Sequence, residues 1–196
     1  KLIQGSASTI IPSSVTSIGE KSFKGCSPLT NVVIPSSVTE IGYEAFSGCT
    51  SLTSVVIPSS VTEIVWNVFW GCTSLTSVEI PSSVTEIGSY AFGGCTSLTS
   101  IVVEEGNSVY DSREGCNAII ETATNELIIG CNSTIIPSSV TAIGSYAFYG
   151  CTSLTSIVIP EGVTAIGYRV FQNCTSLTSV VIPSSVTKIG DKAFRG

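Results

Sequence analysis

"LTNVVIPSSVTEIGYEAFSGCTS", residues 29–51, runs directly into "LTSVVIPSSVTEIVWNVFWGCTS", residues 52–74. The second stretch is the first written again with a few changes. The Ile-Pro step marks the same phase along the chain, at Pro12, Pro35, Pro58, Pro81, Pro137, Pro160 and Pro183. The spacing is 23 residues throughout, except that 56 residues separate Pro81 from Pro137. A fixed period of this size marks a repeat architecture, in which a unit too small to bury its own apolar face is buried by its neighbours.

With the Leu as position 1, the apolar positions are 1, 4, 6, 10, 13, 17, 18 and 21. In the first quoted unit these are Leu29, Val32, Ile34, Val38, Ile41, Ala45, Phe46 and Cys49. The β-branched "LTNVVI" reads as a strand, stopped by a proline that cannot donate to a continuing ladder. "SVTEI" reads as a second short strand, and "YEAFSG" has the Ala-Phe spacing of a single helical turn. Units begin near Ser6, Leu29, Leu52, Leu75, Leu98, Cys131, Leu154 and Leu177, so residues 1–196 read as one solenoid of about eight units. Stacked at about 4.8 Å per strand, they make a rod roughly 40 Å long. The unit at 98–130 is longer and leaves the pattern after Val103; its "CNAIIETATNELIIGC" reads as a hairpin turning at Ala123-Thr124. Residues 1–26 match residues 126–151 at most positions. Neither end carries a polar capping unit. The expectation is a portion of a longer array, or a copy with eroded ends.

Composition narrows the function. The chain is 43% hydrophobic and 11% charged, which argues against disorder. No apolar run is long enough to span a membrane as a helix. A net charge of −6 with scattered cations disfavours nucleic acid. The sequence has no His, no Gly-x-Ser-x-Gly and no phosphate loop, so catalysis is not expected. Glu104, Glu105 and Asp111 lie in the long unit, where a solvated loop is a better reading than a calcium site. No cofactor or metal is expected.

The unit "IPSSVTxIGxxAFxGCTSLTSV" closely resembles the BspA-like, or Treponema pallidum-type, leucine-rich repeats, over almost the whole chain. The long unit resembles an interruption recurrent in such proteins. The resemblance implies a right-handed solenoid with a parallel sheet on one face, short second strands, single helical turns and one hairpin-like interruption. It also implies a bacterial surface or secreted protein that adheres to host or microbial proteins, an extracellular-matrix protein among them. The alternatives are a structural spacer and a carbohydrate-binding module. Partner identity and oligomeric state are not legible.

Candidate binding residues fall in two groups. Strand alternation sends position 5 to the open sheet face, placing Val33, Val56, Val102, Val158 and Val181 there, with Glu79 in place of a valine. An exposed apolar strip of this kind usually means a partner, although β-branched ladders also stabilise sheets. Positions 15, 16 and 19 vary most between units and surround the Ala-Phe turn. They hold Trp66 and Trp70, the chain's two tryptophans, beside Tyr43 and Tyr90 on neighbouring coils. These are hot-spot residue types, or surface drift in which the two tryptophans cover each other.

Cys26, Cys49, Cys72, Cys95, Cys151 and Cys174 share position 21 and are expected to be buried, reduced thiols. Cys116 and Cys131 lie symmetrically about the hairpin turn and are a possible disulfide. Val65 replaces a Gly found at position 14 of six other units. It predicts negative φ there, with Gly recurring for close packing or turn freedom.

Overall fold

The computed structural model describes residues 9–196. Residues 1–8, which hold the start of the expected first unit and of the second hairpin copy, lie outside the described residues. The strands are short: β1 Ser17–Ile18, β2 Asn31–Val33, β3 Glu40–Ile41, β4 Ser54–Val56, β5 Glu63–Ile64, β6 Ser77–Ile80, β7 Glu86–Ile87 and β8 Ser100–Val103. The long unit adds β9 Tyr110–Asp111, β10 Ala118–Glu121 and β11 Glu126–Gly130. Regular coils resume with β12 Ala142–Ile143, β13 Ser156–Val158, β14 Ala165–Ile166, β15 Ser179–Val181 and β16 Lys188–Ile189.

The coils beginning at Leu29, Leu52, Leu75, Leu154 and Leu177 each contribute one strand to each of two parallel faces. Ser77↔Ser100 and Val78↔Ile101 lie in the first, Glu63↔Glu86 and Ile64↔Ile87 in the second. Partners sit 23 residues apart, so every repeat position becomes a column. The inward columns are those the sequence marks. In one coil Leu52, Val55, Ile57, Val61, Ile64, Val68, Phe69 and Cys72 are all buried, each large aliphatic contributing about 1.5–3 kcal/mol. Phenylalanines stack along the axis, with Phe23–Phe46 at 5.0 Å, Phe46–Phe69 at 5.5 Å and Phe69–Phe92 at 5.5 Å between ring centroids.

The helical turn expected around Ala-Phe is instead a pair of consecutive tight turns. Ala45 N–H bonds Gly42 C=O and Cys49 N–H bonds Phe46 C=O, both at 3.2 Å. The third residue of each turn is left-handed: Glu44 at φ 54° and Gly48 at φ 72°. Positive φ at that place is the mark of a type II turn. The remaining amides bond outward to the next coil, as Phe46 N–H to Val68 C=O at 2.9 Å, so the turns stack as a third ladder. An α-helix would spend those donors within its own coil and leave none for stacking.

The hairpin divides the stack. β10 pairs antiparallel with β9 and β11, and β11 pairs parallel with β12. Along β10, Ile119 packs into the core of the first half and Ala118 and Ile120 into that of the second, so one strand walls two cores. The long unit has no Ala-Phe turn of its own. The turn column therefore closes over it: Gly94 N–H bonds Tyr149 C=O at 3.2 Å across the 56-residue gap.

Candidate functional site

The open face of the first ladder is built by strand alternation. β2 and β4 each read exposed, buried, exposed, which leaves Val33 at 75% and Val56 at 74% of full exposure. Val102, Val158 and Val181 are exposed in the same column, and Glu79, paired with Val102, is exposed among them. β4 and β6 approach without forming a paired ladder. A groove of about 440 Å³ lies there, lined by Val56, Pro58, Glu79, Pro81 and Glu104. Glu104 accepts the Ser82 N–H at 2.7 Å, which holds its carboxyl below the usual range. The face thus carries an apolar strip with Glu79 set into it and Glu104 beside it in the groove.

The turn face differs from the expected arrangement. Trp66 and Trp70 are 46% and 42% exposed, and Tyr43 is exposed. Trp70 leans over Gly93 toward Tyr90: a Cβ at Gly93 would lie 3.2 Å from Trp70 Cδ1 and 3.1 Å from Tyr90 Cδ1. The aromatic contacts on this face centre on Tyr90. Its ring lies 4.0 Å from Tyr146 and 5.1 Å from Tyr149, and Tyr146 lies 5.3 Å from Tyr168. Arg169 sits over the Tyr168 ring at 4.8 Å. Burial, and then the neighbouring Tyr146 hydroxyl, push the Tyr90 phenol up to about 12, with Arg169 pulling the other way. Sequence reasoning placed Tyr90 and missed its partners, because they lie 56 and more residues away. The readable signal was the absence of an Ala-Phe turn in the long unit, which makes the flanking turns neighbours.

Asp111 of the long unit has a structural task. Arg113 donates from Nε to Asp111 Oδ1 at 2.8 Å, from Nη2 to Oδ2 at 2.6 Å and from Nη1 to Asn125 Oδ1 at 2.8 Å, tying the hairpin to its flank. Burial raises the Asp111 carboxyl, but these bonds outweigh it and hold the group below its ordinary value.

The possible Cys116–Cys131 disulfide is corrected by register. The two are equidistant from the turn tip, but Ile119 pairs with Ile129 and Ile120 with Leu127, so Ile128 is an extra residue. A one-residue slip sends side chains to opposite faces. Cys116 enters the second core and Cys131 the first; both are buried free thiols, donating to the carbonyls of Ala118 and Asn117. Of the repeat cysteines, Cys26 is half-buried and the other five are buried. Cys49, Cys72 and Cys95 donate to the carbonyls of Phe23, Phe46 and Phe69 at 3.1–3.3 Å. Position 21 therefore suits a small apolar residue with one weak donor.

The family described as BspA type leucine rich repeat region (6 copies) matches residues 5–116 and 120–196. No curated protein is significantly similar to the chain. Among solved structures, a leucine rich cell surface protein from Faecalibacterium prausnitzii is 28% identical with a TM-score of 0.64, over 94% of this chain and 62% of that one. The pneumococcal vaccine antigen PcpA is 25% identical with a TM-score of 0.72, over 90% of this chain and 51% of that one. A T. pallidum leucine rich repeat protein is 29% identical with a TM-score of 0.54, over 93% and 72%. The chain thus spans less than two thirds of the first two.

Proposed function

The chain belongs to the BspA-type leucine-rich-repeat family, and from that premise we propose that it is a non-catalytic interaction module of a bacterial surface or secreted protein. Its partner is a surface or extracellular-matrix protein docked on the open sheet face. One observation carries the reading: Val33, Val56 and Val102 stay exposed on one face beside a groove, with Glu79 among them. An apolar strip of this kind marks a contact site, and the carboxylates of Glu79 and Glu104 in its groove select for a basic residue on the partner. No helix among the described residues is long and apolar enough to cross a membrane. Relatives that include a cell surface protein support an extracellular setting.

The test is saturable binding of the purified protein to immobilised matrix proteins and to whole cells. Val33→Ser with Val56→Ser should weaken binding at least tenfold while the far-UV spectrum is unchanged, since both side chains are exposed. Glu79→Lys should weaken it further by charge reversal. A structural spacer would show no saturable binding in the parent protein.

A further inference from the structure

The turn face at the seam carries a second set of groups that the sheet-face reading does not use. Three features meet there. The first is the tyrosine cluster of Tyr90, Tyr146, Tyr149 and Tyr168, assembled only because the turn column closes across the long unit. A small cleft of about 70 Å³ runs under it, with Ser89 and Ser145 on its wall.

The second is charge. Lys21, Lys24 and Arg113 are each ion-paired, with Glu20, Glu44 and Asp111. Among the described residues Arg169, Lys188, Lys192 and Arg195 form no ion pair. From residue 131 onward the sequence holds these four cations and two carboxylates, Glu161 and Asp191, a net of +2 in a chain of −6. Arg169 and Lys192 share column 16, and Gln172 and Arg195 share column 19, so the cationic surface continues from the tyrosines. The third is unspent hydrogen bonding. Arg169 Nε and Gln172 Oε1 are buried without a partner, and the Arg169 guanidinium interacts with the Tyr90 hydroxyl but pairs with no carboxylate.

We propose that the tyrosine seam with Arg169 binds an acidic sugar, a pyranose bearing a carboxylate. The guanidinium meets a carboxylate with two parallel bonds, a geometry that lysine cannot reproduce. Tyrosine ring faces carry the negative side of the quadrupole and accept the polarised C–H face of a pyranose. Phenol hydroxyls and the Gln172 amide supply the partners that sugar hydroxyls require. A protein anchor fits less well, because a hot-spot side chain needs a deep desolvated pocket and the cleft holds only a few waters. The site is separate in residues and in face from the valine strip, so either reading stands or falls alone.

The experiment is titration of the intact chain with a galacturonate trisaccharide, a sialylated trisaccharide, a neutral galactose trisaccharide and a short polyglutamate, at low and moderate salt. Binding of either carboxylated sugar, at least tenfold tighter than the neutral sugar and than polyglutamate, is expected. Which of the two binds better identifies the source of the acid. Arg169→Glu should abolish that binding, and Tyr168→Ser should weaken it about tenfold. Both variants place a residue already used at that repeat position, by Glu44 and by Ser89 and Ser145, so the fold is preserved. Equal binding of neutral and acidic sugars, equal binding of polyglutamate, undiminished binding by Arg169→Glu, or no binding of any sugar at millimolar concentration would each overturn the proposal.

Discussion

Val65 shows how much one side chain changes in a stacked fold. The other coils hold Gly at this place for distance: a Cβ on Gly88 would lie 2.5 Å from Trp66 N, and one on Gly42 2.6 Å from Glu20 N. Val65 itself has no positive φ, as the sequence argument requires. Its bulk acts on the neighbouring coil instead. Gly42, Gly88, Gly144, Gly167 and Gly190 each donate to the carbonyl of the coil before, while Val65 makes no such bond to Ile41. The second ladder breaks between β3 and β5, and a cleft of about 290 Å³ opens there, lined by Glu40, Glu63 and Val65. Restoring Val65→Gly should close it. Hydrogen exchange should then show the amides of residues 62 and 65 protected at least tenfold more than in the parent; unchanged protection would mean that the gap has another cause. The tryptophans beside it behave differently. Trp66→Ser and Trp70→Ser should each move stability by less than about 0.5 kcal/mol, as exposed surface substitutions do. Buried Val68→Ala should cost about 1–2 kcal/mol in denaturant titration. The reverse ordering would place the tryptophans in the core. Sequence periodicity exposed Val65 as an anomaly, but only the spacing between coils explains it.

At the scale of elements, the two strands and the inward columns were legible because they depend on alternation and period alone. The tight turns were not, since a short Ala-Phe stretch fits a helical turn equally well until the next coil claims its amides. The hairpin was legible, and its bulge was not. Nothing in "NELIIGC" identifies Ile128 as the residue without a partner, and that single residue decides whether two cysteines face each other. The consequence is testable by thiol chemistry. In native buffer under air, only Cys26 should react promptly with a thiol reagent, and the chain should show no internal crosslink by mass. Fast reaction of several thiols, or a mass lower by two hydrogen atoms per chain, would contradict the burial and the register.

For the whole molecule, columns of buried thiols make stability depend on alkaline pH. Burial pushes Cys49 and Cys95 up to about 12 and Cys174 up to about 11, from an ordinary value of 9.0. These groups stay protonated in the folded chain where the unfolded chain would ionise. Their contribution is complete below pH 9 and is lost as pH rises through the folded values. Melting temperature should therefore decline from pH 9 upward; a flat profile between 9 and 11 would contradict the buried column. The same stacking that hides the thiols exposes the valines, because each coil shows one strand face inward and one outward. The sequence identified that outward face, yet the tyrosine seam emerges only when the stack is complete and distant turns become adjacent. The central claim is that this solenoid binds a protein through its open sheet. Hydrogen–deuterium exchange of the chain, free and bound to a matrix protein it captures, tests it most directly. Slowed exchange concentrated in β4, β6 and β8 is the predicted result, and slowing confined to the turn face, or absent from the sheet, would contradict it.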